Sequence, residues 1–382
     1  MKITGIIAEY NPFHNGHAYQ LEFAKTFSDA VIVVMSGSFV QRGDVAIFDK
    51  YSRTKAALNH GADIVFELPV VFSMSVAERF AFGGVSILDS LNVVDFLLFG
   101  SECGDIDALK AGAKLLEYEP VEVSERIKNL MDEGFNFPKA REIAFSGLIP
   151  PALLSSPNNI LGLEYIRKLY SLNSSITPVT QKRVGEGYHS KNLNSEFISA
   201  TAIRNAILNE NYSYEPFLKS PVHRLEMLSS AVIYNIRKNK EAAFFNIADV
   251  SEGLQNRIIQ AADKSASIEE LVSLVSTKRY TDTKIRRIIL SSLLGLDADL
   301  SKKAPRYARL LGATEKGFEV LKEIKEKSDL KIITKTADFK ENDESFKKDI
   351  LATDIYDLAS DTRKGAGQDF KNSPVIIGGK YE

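Results

Sequence analysis

Residues 3–27 read ITGIIAEYNPFHNGHAYQLEFAKTF. Ile3–Ala8 is short, apolar and rich in β-branched side chains, which predicts a buried strand. Asn11-Pro12 then marks a turn. From residue 17 to residue 27, Leu21, Ala24 and Phe27 recur at helical spacing, so the stretch reads as strand, polar turn and helix. Working outward, residues 30–35, 64–68 and 93–99 are further apolar strand candidates, the last ending at Gly100. Helical stretches lie between them, at 50–59 (with Asp49 as N-cap and Gly61 just past its end) and at 74–91. Apolar strands alternating with helices predict a parallel sheet covered on both faces. The expected fold class is α/β, doubly wound.

Farther along, residues 105–172 are mainly helical in pattern, and 176–181 looks like a returning strand. Residues 185–195 are polar and rich in Gly, Asn and Ser, too irregular for a regular element. Ser199 is placed to cap a helix running to Leu208. The polar 209–214 segment and Pro216 mark an expected boundary. Residues 1–212 form one expected domain, and 213–382 a mainly helical region with a short strand at 331–334. No internal repeat or low-complexity tract is visible.

The chain has 382 residues, with Lys+Arg 48 against Asp+Glu 50 and a net charge of −2. That excludes a globally basic nucleic-acid coat but leaves room for a local basic patch. A single cysteine, Cys103, excludes an intramolecular disulfide framework and a cysteine-built zinc site. Cys103 reads as a small buried side chain, not a nucleophile. No apolar run approaches the ~20 residues that span a bilayer. The expectation is a soluble, cytoplasmic protein with no membrane partner.

Two of the five histidines fall in the tetrapeptide His14-Asn15-Gly16-His17. In an open α/β sheet, ligands bind beyond the carboxyl ends of the strands, where this tetrapeptide opens a helix. Free N–H groups and the helix dipole favour an anion there. Gly16 lets a phosphate or nucleobase approach the backbone. Two imidazoles one turn apart can donate to the oxygens of a phosphate under attack. A merely polar turn and a metal-ligand pair with Glu9 are the competing readings. Farther on, Ser199-Ala200-Thr201-Ala202-Ile203-Arg204 places hydroxyls, helix N–H groups and an arginine together, a combination suited to pyrophosphate. N-capping alone also accounts for Ser199 and Thr201.

Residues 11–17 match the signature of the HIGH-motif nucleotidyltransferases, and Ser199-x-Thr201-x-x-Arg204 matches their second signature. The resemblance narrows through residues 5–19, Ser36 to Gly43, Phe66-Glu67-Leu68-Pro69, Phe99-Gly100-Ser101-Glu102, Ser156-Pro157-Asn158-Asn159 and Lys278-Arg279-Tyr280-Thr281. Together these resemble the bacterial tRNA(Met) cytidine acetate ligase family over about residues 1–310. The resemblance implies that ATP and acetate form acetyl-adenylate, with the acetyl group passing to the exocyclic amine of the wobble cytidine of elongator tRNA(Met). It implies an ATP site of Ile7, Ala8, Glu9, Tyr10, Asn11, Pro12, Phe13, His14, Asn15, Gly16, His17, Ala18, Tyr19 and Gln20, joined by Gly100, Asn158 or Asn159, and Arg183. Ser199, Thr201 and Arg204 would hold the departing pyrophosphate. His14, His17 and Arg204 are the expected catalytic residues, and Mg²⁺ is expected to bridge the phosphates.

Each position also has a local reading. Gly100 suits either a turn or a close approach of adenosine. One of Asn158 and Asn159 suffices as an N-cap, leaving the other for a ligand. Arg183 follows a strand candidate and is either a phosphate partner or a solvated strand end. Gln41 and Arg42 lie on a loop expected to close over triphosphate or acetate, with Asp44 as an alternative partner for Arg42. Lys278, Arg279, Tyr280, Lys284, Arg286 and Arg287 put five cations and one aromatic within ten residues. With tRNA as the implied substrate they are expected to contact RNA, with Arg306 and Arg309 extending the patch. An ordinary amphipathic helix is the alternative, since Ile285, Ile288 and Ile289 continue as an apolar face. The rival functions are a cofactor-biosynthesis adenylyltransferase and an RNA-binding protein with a vestigial nucleotide site. DNA is not an expected partner.

Overall fold

The computed structural model describes residues 1–183, 198–210, 212–215, 217–250 and 253–378. The polar stretch 185–195 and Pro216 therefore lie outside the described residues. Among the described residues there are ten strands: β1 (Ile3–Ala8), β2 (Ala30–Ser36), β3 (Phe39–Val40), β4 (Asp44–Val45), β5 (Ile64–Leu68), β6 (Phe96–Ser101), β7 (Thr177–Lys182), β8 (Tyr307–Thr314), β9 (Lys331–Ile333) and β10 (Val375–Ile377). The main sheet runs β10-β8-β5-β2-β1-β6-β7, with β9 paired to β8. From β5 to β7 the pairing is all parallel. Every residue of β2 and β5 is buried, as the uninterrupted apolar runs require when helices cover both faces.

The chain begins in the middle of this sheet, adds β2 and β5 on one side, then returns to place β6 and β7 on the other. The order reverses between β1 and β6, the place where open α/β sheets form a ligand crevice beyond the carboxyl ends. Residues 9–17 follow β1 directly, and Gly100 is the penultimate residue of β6. The helix Asn15–Lys25 packs over β2 and β6, Lys50–Asn59 follows β4 with Asp49 as its N-cap, and Ala77–Ser90 precedes β6.

Beyond the expected boundary at 212/213 the chain first forms helices, including Ser229–Asn239, Leu254–Lys264, Ile268–Val275 and Asp282–Leu294. It then returns to the same sheet: β8 pairs antiparallel with β5, and β10 and β9 flank β8. The sequence pattern did not reveal β8, because Arg309 interrupts it. Arg309 is only 4% exposed, and its Nη1 lies 2.6 Å from Asp369 and 3.2 Å from Glu67. It does not extend a surface basic patch, since it is tied into the interior. Lys50 joins the same network, with Nζ 2.8 Å from Glu67 and 3.0 Å from Asp369. Four charges thus neutralise one another where the first and last parts of the chain meet.

A second buried cation ties down the strand ends. Arg53 is fully buried and pairs with no carboxylate among the described residues. Its Nε donates to the Phe48 carbonyl at 2.9 Å, its Nη1 to Glu9 at 2.6 Å and Ser36 at 2.9 Å, and its Nη2 to Gly37. Replacing Arg53 with alanine orphans these carbonyls, each costing ~1–3 kcal/mol when buried without a partner. We predict a loss of at least about 4 kcal/mol in a urea titration, the lower end of four such penalties, with Arg53→Lys recovering little, because one ammonium cannot span four acceptors.

Candidate active site

The site is built around the start of the helix Asn15–Lys25. His14 is its N-cap: Nδ1 accepts from the Gly16 N–H at 3.0 Å, while His17 Nδ1 accepts from the His14 N–H at 3.3 Å. This is a capping box made by two imidazoles in place of a hydroxyl and a carboxylate. An accepting Nδ1 requires that a neutral ring carry its proton on Nε2. The rings stack with centroids 3.8 Å apart and 22° between planes. Burial, with Arg183 and Arg204 nearby, lowers the His14 pKa to about 3. Burial, His14 and Arg183 hold His17 well below the usual imidazole range. Both rings are therefore neutral at pH 7, with Nε2–H left as the donor.

A Cβ on Gly16 would lie 2.9 Å from His14 Cε1, so the missing side chain makes room for the imidazole. Ile7, Tyr10 and Phe13 also sit in the hydrophobic core, at 8%, 1% and 2% exposure. Tyr10 packs edge-on against Phe13 at 5.0 Å and His17 at 4.8 Å. These three shape the turn from behind. Asn11 is buried, its Oδ1 accepting from the Ile47 N–H at 2.8 Å and its carbonyl from Arg204 Nη1 at 2.5 Å. Pro12 is buried, Ala8, Glu9, Ala18 and Gln20 are half-buried, and Asn15 and Tyr19 are exposed.

Arg204 brings the second motif to the first. Its Nη2 donates to Thr201 Oγ1 at 3.2 Å from the first turn of the helix Ala200–Glu210, while Ser199 Oγ accepts from the Ala202 N–H at 3.1 Å. Ser199 thus acts as an N-cap. Glu9 lies in the field of Arg204, Arg42 and Arg53, and its Oε1 accepts from the Gln41 N–H at 2.7 Å. Burial still raises the Glu9 carboxyl above its usual range, against the pull of that N–H and the three arginines. Asp44 Oδ1 accepts from the Val45 N–H at 2.8 Å.

Across the crevice, Gly100 faces the Arg183 side chain: a Cβ on Gly100 would lie 3.3 Å from Arg183 Cγ. Arg183 Nη1 reaches Asn158 Oδ1 at 3.5 Å. The tandem asparagines divide their work. Asn159 is 1% exposed, accepts from the Glu102 and Cys103 N–H groups at 3.0 and 3.2 Å, and donates to the Ala152 carbonyl at 3.1 Å. Asn158 is engaged as well, its Nδ2 donating to Glu102 Oε1 at 2.6 Å beside the Arg183 contact. Glu102 in turn caps the helix Pro157–Ser171, accepting from the Asn158 and Asn159 N–H groups at 3.2 and 2.8 Å. Sequence reasoning gave Glu102 no role, although an acid opposite a helix start is the signal that would have found it. Cys103 is half-buried, its Sγ 3.7 Å from Ser101 Oγ.

The basic segment splits in two. Lys278 is exposed, and Arg279 and Lys284 flank the Tyr280 ring at 5.9 and 5.4 Å. Arg286 and Arg287 instead pack against the turn between β3 and β4, where a Cβ on Gly43 (φ +69°) would lie 2.6 Å from the Arg287 nitrogen. Arg287 is also 3.7 Å from Asp249. These two arginines are therefore not remote from the first half of the chain, as their place in the sequence suggests, but touch Gly43, two residues along from Gln41.

The HIGH Nucleotidyl Transferase family model matches residues 1–369. A tRNA(Met) cytidine acetate ligase of Thermoanaerobacter sp. (strain X514) is 45% identical, covering 97% of this chain and 98% of its own. The chain belongs to the tRNA(Met) cytidine acetate ligase family. A further member, from Clostridium perfringens (strain ATCC 13124), is 43% identical over 99% of this chain and 100% of its own. Among solved structures, Thermotoga maritima TmcAL bound with alpha-thio ATP superposes with a TM-score of 0.88 at 33% identity, covering 99% of this chain and all of that one. The apo form of the same protein gives 0.90. In this chain the two histidines of residues 14–17 form the imidazole capping box described above.

The depressed pKa values predict a pH dependence of definite sign. A histidine whose folded pKa lies below its unfolded value stabilises the fold fully above about pH 6.5, and that contribution is lost as pH falls toward 3. In the ligand-free protein the C2–H resonances of His14 and His17 should stay at their neutral positions from pH 8 to pH 5. A midpoint near 6.5 for either ring would contradict the buried, Nδ1-accepting arrangement.

Proposed function

We propose that the protein is an ATP-dependent ligase that activates acetate as acetyl-adenylate and acetylates the exocyclic amine of the wobble cytidine of elongator tRNA(Met). The observation that carries this reading is the pair of stacked imidazoles whose Nδ1 atoms accept at a helix N-terminus on the switch point of the sheet. An acetate oxygen attacks the α-phosphorus, and the bond from that phosphorus to the bridging oxygen breaks as pyrophosphate leaves. His14 and His17 donate through Nε2–H to the α-phosphate oxygens, where charge develops. Neutral donors suit this step, because they hold their protons throughout. Arg204, with Thr201 and the open helix end, holds the pyrophosphate. Arg183 adds charge from the opposite wall, Asn158 lies beside it, and adenosine lies along Gly100. In the second step the cytidine amine attacks the acetyl carbonyl, AMP departs with the former acetate oxygen, and the amine sheds a proton to water.

Mg²⁺ belongs in this reading to the nucleotide, bridging its phosphates as part of the substrate. Among the described residues no three His, Cys, Asp or Glu side chains group as metal ligands. No described helix is long and apolar enough to cross a membrane. Lys278, Arg279, Tyr280 and Lys284 are proposed to contact the tRNA, while Arg286 and Arg287 support the β3–β4 turn beside the site.

Two measurements test the proposal. Incubation with ATP, radiolabelled acetate and total bacterial tRNA should label a single cytidine, whereas a cofactor-type adenylyltransferase would leave AMP on a small product. His14→Ala and His17→Ala should each slow acetate-dependent ATP–pyrophosphate exchange by roughly a hundredfold or more, the usual cost of removing one preorganised donor to a developing charge. Near-wild-type exchange in both variants would reduce the motif to a turn.

A further inference from the structure

Away from the nucleotide site, the helix Ser229–Asn239 carries a surface that the reading above does not use. Val232, Ile233 and Ile236 bury one face, while Tyr234 on the other is 63% exposed. Lys238, one turn on, sets its ammonium 5.3 Å from the centre of the Tyr234 ring. The two line an open groove of about 710 Å³ together with Ser230, Arg237 and Lys264. Among the described residues no acidic side chain lines it; nearby, Asp263 is paired with Lys240 at 2.8 Å, and Glu270 accepts from the Ala266 N–H at 2.7 Å.

The three cations do different things. Arg237 donates through Nε to the Ala262 carbonyl at 2.9 Å and through Nη2 to the Ser265 carbonyl at 3.0 Å, closing the end of the helix Leu254–Lys264. It is a fixed brace. Lys238 and Lys264 are exposed and stand on either side of the groove. The helix beneath is held to its neighbour by Asn235, which donates to Ser292 Oγ at 2.9 Å on the helix Asp282–Leu294. The groove and the Lys278–Lys284 segment therefore belong to one rigid helical body.

We infer that this groove takes an unpaired nucleobase of the tRNA, stacked on the Tyr234 ring, with the adjacent phosphates on Lys238 and Lys264. The inference rests on the reading of the protein as a tRNA acetate ligase. Charge complementarity favours a polyanion, since cations line the groove and acids do not. The exposed ring selects a strand with a free base face, because duplex bases are already stacked and hide theirs. A tyrosine on a packed helix also meets the base without ordering a loop, so little entropy opposes the contact.

The test is tRNA binding by the full-length protein between 50 and 200 mM salt, with acetyl transfer by the wild type measured in parallel. Tyr234→Ala should weaken tRNA binding roughly tenfold or more, since stacking on an aromatic side chain contributes strongly per base. Tyr234→Phe keeps the ring and should bind like the wild type. Lys238→Ala with Lys264→Ala should shallow the slope of log affinity against log salt by about 1.4, at ~0.7 per phosphate contact on a single strand. Undiminished binding by Tyr234→Ala, or equal losses for Ala and Phe, would overturn the stacking role. An unchanged salt slope in the lysine variant would overturn the phosphate contacts. Wild-type protein that neither binds tRNA nor transfers acetate to it would instead overturn the ligase reading, and the groove with it.

Discussion

Everything at the carboxyl edge of the sheet depends on where one guanidinium puts its protons. Arg53 gathers carbonyls from the end of β1, the end of β2, the residue after β2 and the turn before its own helix. Parallel strands diverge at their ends, and the backbone there has no ladder partner. A buried cation that satisfies those carbonyls lets the chain leave the sheet in two directions without leaving orphaned acceptors. One direction leads to the histidine turn and the other to the β3–β4 ribbon. The two meet again through Gln41 and Glu9.

The histidine turn shows how a fold device and a chemical device can be the same atoms. Each imidazole spends Nδ1 on the helix start, which sets the tautomer and aims Nε2–H outward. Burial keeps the rings uncharged, and neighbouring arginines reinforce it. An arginine or lysine in these positions would bind ground-state phosphate more tightly but could not cap the helix, since neither side chain has an acceptor. The geometry thus trades ground-state attraction for rigidity of a neutral donor pair.

Much of this was legible in the sequence, for physical reasons. Strands buried on both faces must be apolar throughout, so β1, β2, β5 and β6 stood out, and Asp49 marked its helix. β8 did not, because Arg309 sits in the middle of it and makes sense only once Glu67 and Asp369 are seen beside it. The site residues divide in the same way. His14, His17 and Arg204 were readable because their chemistry is unusual at a helix start. The separate duties of Asn158 and Asn159, the use of the Gly16 space by His14, and the contact of Arg286 and Arg287 with Gly43 depend on tertiary neighbours that local pattern does not encode.

The late arrival of β8 has a consequence for biosynthesis. β5 is complete at Leu68, but the strand that covers its outer edge begins only at Tyr307, about 240 residues later. At a synthesis rate of ~5–20 residues per second, that edge waits roughly 10–50 s for its partner. During that interval the nascent protein exposes an apolar, unpaired strand of the kind that recruits other chains. Lys50 and Glu67 wait as well, and their counter-charges arrive only with Arg309 and Asp369. A ribosome that stops early therefore releases a protein with an open sheet and an unbalanced interior, which proteases can recognise before it reaches a tRNA.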